Sequence, residues 1–365
     1  MRKLPLATQT LYAELLEQLL ALDAHRSIGQ APGCFTTKEV KGEVYYYFQY
    51  SEPGGKPRQS YVGKKTPALD KVVARFREER EAFHPDAEQI QRLCAQLRAG
   101  GTLRTDTAST RVLEAFAESG LFHLGGVLVG THAFTVLGNL LGVKWDGYSL
   151  RTQDIDIASD STLRIAVPDL QADMPKVLES LKLGFLPVPG LNPKSPSTSF
   201  KVRGSPLRVD FVTPQKRSTN STPLFIPRFN VAAQPLPFLD YVTDHYERGA
   251  IVNGDGVLVN VPNPARFAFH KLIVSRSRGI AASAKVDKDI FQAAQVLAVL
   301  AEDRSGDLLL AWDDLERRGD GWVKRVVAAL PVLARQHRSE YTKMLDAVPK
   351  LRSHIRRRER SSLTL

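Results

Sequence analysis

The sequence predicts an α+β fold: a mixed sheet in the middle of the chain, an N-terminal helix and β-hairpin region before it, and a C-terminal helical domain after it. Two observations carry this. Leucines at helical spacing open the chain, and five helix-length segments close it from Pro264 onward. Between them lie short apolar or alternating runs, among them Gly126–Val129, Gln153–Ile157 and Leu207–Val212, which read as strands.

The 365 residues suffice for two to three domains, divided here as 1–105, 106–262 and 263–365. Hydrophobic content of 43% and charged content of 24% are those of an ordinary globular protein. The formal net charge of +11 favours polyanionic partners such as nucleic acid or nucleotides. Cys34 and Cys94 stand far apart without a histidine partner pattern, which argues against a disulfide framework or a zinc site and fits a reducing cytoplasm. No run spans a bilayer and no apolar segment follows the basic start, so the expected location is cytoplasmic, with no membrane partner.

Taken in order, Leu11, Leu15, Leu16, Leu19, Leu20 and Leu22 predict a helix over Thr8–Ala24. Two strands, Glu43–Tyr50 and Arg58–Gly63, follow around a glycine turn. Their aromatics alternate with Lys38, Lys41, Lys56, Arg58, Lys64 and Lys65. Such a surface suits nucleic acid, although cross-strand tyrosines also pack any small sheet, and packing is the favoured reading. Thr66-Pro67 starts a helix to Phe83, a second runs from Pro85 to Ala99, and a third from Asp106 to Ser119.

Gly126–Val129 is a strand that breaks at Gly130-Thr131-His132-Ala133 into a helix reaching Leu141. Free amides at that helix start, a Thr hydroxyl and the glycine make a phosphate cradle; a plain strand-to-helix turn is the alternative. A polar loop then delivers Thr152-Gln153-Asp154-Ile155-Asp156-Ile157. Period-two alternation puts Asp154 and Asp156 on one face and the isoleucines on the other. Paired carboxylates repel unless a cation lies between them, and hard oxygen ligands suit Mg²⁺.

Pro168–Lys182 reads as a helix, Pro187–Pro193 as a proline-rich excursion, and Thr198–Val202 and Leu207–Val212 as strands. Asp210 on the latter needs a cation or an arginine, and Arg208 lies on its face. Strands recur at Leu224–Ile226, Ala250–Val252 and Val257–Val261. The closing helices are Pro264–Arg276, Lys285–Glu302, Ser305–Arg317, Gly321–Leu333 and Ser339–Leu351, before a basic, frayed tail from Arg352 to Arg360. His132 and His270 lack metal-ligand spacing and receive no catalytic role.

Val129-Gly130-Thr131, Asp154 with Asp156, and Asp210 in this order resemble the nucleotidyltransferase superfamily with a DNA polymerase beta-like palm. Gly130-Thr131-His132-Ala133-Phe134, Thr152–Asp156 and His270-Lys271-Leu272 are similar to bacterial members related to AbiEii-type toxins. Thr131 stands where the family has serine and keeps the hydroxyl. The resemblance implies a palm that moves a nucleoside monophosphate from an NTP onto a hydroxyl of RNA or tRNA, a protein or a small molecule. It implies Mg²⁺ or Mn²⁺ held by Asp154, Asp156 and Asp210, with Asp210 taking the acceptor proton. The Gly130 and Thr131 amides cradle the β- and γ-phosphates, and Lys271, Arg276, Arg278 or Lys288 neutralise them. The alternative is an inactive palm serving as a nucleic-acid-binding or toxin-type regulatory module, with a cognate antitoxin as partner.

Overall fold

Leucines and one tyrosine of the first helix, α1 (Leu6–Ala24), meet the far half of a long second helix, α2 (Pro67–Ala99). Tyr12, Leu15 and Leu19 bury against Ile90, Leu93, Cys94 and Leu97. The computed structural model describes residues 1–24, 33–51, 57–146, 152–160, 172–190, 195–215, 222–277 and 283–362. A two-residue strand, β1 (Arg2–Lys3), precedes α1. Between the helices, β2 (Cys34–Val40), β3 (Glu43–Ser51) and β4 (Pro57–Lys64) form an antiparallel sheet.

This sheet has one strand more than the expected hairpin. The added strand turns back through Lys41 and Gly42, both at positive φ (53° and 79°), a tight turn whose sequence signal is weaker than Asn-Gly. The expected glycine turn at Gly54-Gly55 lies outside the described residues. The break expected at Pro85 is absent, and α2 runs through it. An interior proline costs about 3 kcal/mol. Val73 and Phe76 on one side and Ile90, Leu93 and Leu97 on the other are all buried. At about 1.5–3 kcal/mol each, their burial outweighs that cost.

The middle of the chain begins with α3 (Thr107–Glu118), capped by the Asp106 side chain on the Ser109 amide. Next come β5 (Val127–Val129), α4 (Gly130–Leu140), β6 (Val143–Lys144) and β7 (Asp154–Ala158). β6 pairs with β1. They are followed by α5 (Met174–Ser180), β8 (Phe185–Pro187), β9 (Ser199–Val202), β10 (Arg208–Pro214), β11 (Leu224–Ile226) and β12 (Val231–Leu236). The main sheet runs β11-β12-β10-β7-β5, with β9 also on β10 and β8 on β9. β10 is parallel to β7 and β12, while β5 is antiparallel to β7, the mixed sheet the sequence predicts.

Three details differ from expectation. α5 is shorter than Pro168–Lys182: Asp173 caps its start and Lys182 turns left-handed at φ 52°. Pro168 to Gln171 lie outside the described residues. β12 was unforeseen, because Val231-Ala-Ala-Gln-Pro-Leu is poor in β-branched residues and holds a proline. β8 takes up Phe185–Pro187, at the start of what reads as an irregular excursion.

A short α6 (Asp240–Thr243) leads to the hairpin β13 (Tyr246–Ile251) and β14 (Val257–Pro262). Asn260 on β14 donates to the Phe122 and Gly126 carbonyls, which ties the approach to β5 in place. Helices α7 (Pro264–Ser275), α8 (Ser283–Asp303), α9 (Ser305–Arg317), α10 (Asp320–Gln336), α11 (Arg338–Ala347) and α12 (Lys350–Ser362) complete the chain.

The basic tail is thus helical rather than frayed. Val348 before Pro349 leaves the helical region at φ −126° and ψ 74°, which ends α11, and a proline is pre-shaped to open the next helix. Leu351 is buried, and His354 Nε2 lies 2.7 Å from Glu316 Oε1. One apolar core joins the sheet's isoleucine face to these helices, from Leu103 to Leu351. Among the described residues no helix is long and apolar enough to cross a membrane.

Candidate active site

Ile155 and Ile157 are fully buried under α4, so the alternation in β7 leaves Asp154 exposed and Asp156 half-buried on the other face. In the parallel pairing with β10, Arg208 stands opposite Asp154 and Asp210 opposite Asp156. All three aspartates therefore share one face of the sheet. On the other side of β7, Val129 is the cross-strand partner of Asp156, and the next residue, Gly130, starts α4.

Gly130 has φ +69°, and a Cβ built on it would run into Asp156 Oδ2. Glycine is required there twice over, for the backbone angle and for the carboxylate's approach. No side chain caps α4, so its first-turn amides lack an intrahelical or side-chain partner. The Thr131 side chain is buried at this helix start.

Crowding of like charge shows in the electrostatics. Asp156 is pushed up to about 7, first by burial and then by Asp210 and Asp154, against the pull of Lys271 and Arg208. In the absence of a cation the neutral acid is favoured there. Asp210 is held differently. Arg208 Nε donates to its Oδ1 at 2.8 Å, and Ser199 Oγ from β9 donates to the same oxygen. Ser199 in turn accepts from Arg208 Nε at 2.8 Å. The arginine pairing that the sequence allows is thus present.

The candidate phosphate cations separate into two kinds. Lys271 on α7 is buried and donates to Asp289 Oδ1 on α8 at 2.9 Å. Lys288, the residue before Asp289 on α8, is half-buried and has no ion pair among the described residues. Its pKa is lowered by burial and by Lys271 against the opposing pull of Asp289, Asp154 and Asp156, so its ammonium feels the field of the carboxylate pair. Arg276 is exposed at the end of α7 with no side-chain partner among the described residues, and is not drawn into this group. Arg278 lies outside the described residues.

Sequence reasoning passed over Asp289, whose role depends on a contact between two helices. It also set aside His132, which is buried on α4 and lowered to about 4 by desolvation, with Lys288 lowering it further. His132 is therefore neutral at pH 7 and brings no charge to a phosphate; its Nε2 has no hydrogen-bond partner among the described residues. Two cavities adjoin α4, and the first takes in the Gly130–Asp156 contact. One of about 190 Å³ is walled by Val129, Val212, Leu239 and Lys271. The other, about 790 Å³, is lined by Thr152, Gln153, His132 and Thr135.

A divalent ion fits the chemistry of Asp154 and Asp156, two hard carboxylates whose mutual repulsion it relieves. Among the described residues no three acidic, histidine or cysteine side chains already stand in a ligand-ready cluster. The reason is visible at Asp210, whose Oδ1 is turned to Arg208 and Ser199. For Asp210 to join, its carboxylate must rotate or use its second oxygen.

Two outcomes follow for the lysines. Lys288→Ala is expected to weaken NTP affinity about 10-fold or more, the worth of a hydrogen bond to a charged group, while Arg276→Ala leaves it unchanged. Isothermal titration of both variants checks this. Asp289→Ala leaves Lys271 buried without its partner and is expected to destabilise the fold by about 3–5 kcal/mol in urea denaturation.

Compared with known proteins, the family described as nucleotidyltransferase matches residues 107–316, more than half of the chain and all of the elements from α3 to α9. No curated protein and no solved structure matches the chain.

Proposed function

The chain belongs to the nucleotidyltransferase family, and on that premise we propose that it transfers a nucleoside monophosphate from an NTP to a hydroxyl acceptor, releasing pyrophosphate. One observation carries this reading: Asp156 is flanked by Asp154 and Asp210 and touches the glycine that opens an uncapped helix. Carboxylates and a phosphate cradle thus meet at one point of the sheet.

Asp154 and Asp156 are the residues to hold Mg²⁺ or Mn²⁺, which when bound offsets triphosphate charge and polarises the reacting phosphorus centre. The Gly130 and Thr131 amides donate to the β- and γ-phosphate oxygens, aided by the positive end of α4. Lys288 neutralises the charge that grows on the leaving pyrophosphate. Lys271, tied to Asp289, fixes the α7–α8 wall of the site. Asp210, oriented by Arg208 and Ser199, accepts the proton of the attacking hydroxyl.

A second reading, a catalytically silent palm, draws on the same Arg208–Asp210 pair, which satisfies Asp210 without any cation. The two separate by experiment. The protein is incubated with each α-labelled NTP, Mg²⁺ and total cellular RNA or protein. Transfer of label, abolished in Asp154→Ala/Asp156→Ala, supports the transferase; no label in any fraction supports the silent palm.

A further inference from the structure

The three-stranded sheet β2-β3-β4 lies outside the family-matched segment, and its two faces are used differently. One face packs on α2. Phe35 and Phe48 pack on Phe76, with centroids at 5.1 and 5.7 Å, and Tyr46 packs edgewise on Phe35 at 6.3 Å. Tyr46 also donates to Asp70 Oδ1 at 2.6 Å. Packing accounts for these aromatics.

It does not account for the other face. Pairing of Lys38 with Tyr45, Tyr45 with Lys64 and Tyr47 with Tyr61 puts a tyrosine trio on the side away from α2. Tyr61 is 61% exposed and touches both others edgewise, with centroids 6.0 Å from Tyr45 and 5.7 Å from Tyr47. The Lys38 ammonium lies 4.8 Å from the Tyr47 ring centroid. At the Tyr45 end of the sheet, Lys41 in the β2–β3 turn and Lys65, whose amide donates to the Val44 carbonyl, are exposed and unpaired among the described residues, while Lys64 is matched by Glu43 at 2.7 Å. The surface is therefore aromatic, with cations gathered at its Tyr45 end.

We infer that this face docks single-stranded nucleic acid, with bases stacking on Tyr45, Tyr47 and Tyr61 and phosphates meeting Lys38, Lys41 and Lys65. Charge complementarity selects this occupant. A protein partner would gain little from unpaired lysines at one end of three tyrosines, whereas a strand offers a π-face and a phosphate at every step. Tyr61, exposed, and the half-buried Tyr45 and Tyr47 beside it can take unstacked bases, which a duplex does not present. The face further makes a polynucleotide the acceptor, a step that rests on the proposed transferase activity.

The test uses the full-length protein and labelled oligonucleotides of about ten nucleotides, RNA and DNA, in fluorescence anisotropy without Mg²⁺ or NTP. Binding here is independent of the carboxylates, so its failure and that of the transferase reading are distinguishable. Single strands are expected to bind with an affinity that falls as salt rises. Tyr47→Ala/Tyr61→Ala is expected to weaken binding about 10-fold or more, and Tyr47→Phe/Tyr61→Phe to keep it. Lys38→Gln should lower both affinity and salt dependence. NTP binding of every variant, measured by titration, should stay at the wild-type level and shows that the fold is intact. The inference is overturned if wild-type protein binds no single strand, if a duplex competes equally well, or if the alanine pair binds unchanged. Loss of a dimer in the alanine pair, with no oligonucleotide bound by wild type, would assign the face to a second copy and overturn it too.

Discussion

Gly130→Ala is expected to cut nucleotidyl transfer by about 10²-fold or more while lowering stability by only about 1–2 kcal/mol. The smaller number is the cost of a left-handed backbone for a residue with a Cβ, since Gly130 lies at φ +69°. The larger follows from where the methyl group goes. It enters the space of Asp156 Oδ2, so the carboxylate must move away from the helix start. Displacement of about 1 Å at a reacting centre is enough for a loss of that size. Thr131→Ser, which keeps the hydroxyl and removes a methyl group at the edge of the same turn, should stay close to wild type. Steady-state kinetics of the two variants, with urea melts alongside, read out both effects.

Asp156→Asn separates the needs of chemistry from those of folding. Transfer is expected to fall about 10³-fold or more, because one of the two carboxylates proposed to hold the divalent ion is gone. Stability moves the other way at neutral pH. Burial and the neighbouring Asp210 and Asp154 hold Asp156 at about 7, above its value of 3.8 in an unfolded chain. The folded protein therefore binds more protons than the unfolded chain between those values. Its contribution is most favourable at low pH and is lost as pH rises through about 7. A tenfold change in proton affinity corresponds to about 1.4 kcal/mol, so the asparagine variant should gain roughly 2–4 kcal/mol at pH 8, with solvent at the half-buried group setting the lower end. At pH 4 the gain should vanish. Metal-free thermal melts from pH 4 to pH 8 check the sign: a variant no more stable than wild type at pH 8 contradicts the crowding of carboxylates.

What could be read from the residues alone was what depends on local period. Alternation in Asp154–Ile157 gave the shared face of the two aspartates, and β10 carried Asp210 to the same side by the same rule. Gly130 marked the strand-to-helix turn, although only the contact with Asp156 explains why nothing larger fits. Elements whose existence depends on packing were missed. β12 has weak strand propensity and is stabilised by pairing with β10 at Val212–Pro214. α2 overrides Pro85 because both its halves are anchored. α12 exists because Leu351 finds the core.

The site shows the same division. Which carboxylates assemble was legible, because each lies on a patterned strand. Which cation is committed elsewhere was not. Lys271 and Asp289 stand on different helices, and nothing in their spacing reveals that they neutralise each other. That pairing is why the proposed mechanism gives the phosphate-facing role to Lys288. Likewise the tyrosines of β3 and β4 divide between a packed and an open face only once β2 and α2 are in place.

The most direct measurement of the metal–triphosphate site is isothermal titration of the protein with a non-hydrolysable NTP analogue, with and without Mg²⁺, repeated in Asp154→Ala/Asp156→Ala. Binding that requires Mg²⁺ and disappears in the double variant is the expected result. Binding of equal strength without the ion, or unchanged after both carboxylates are removed, would contradict it.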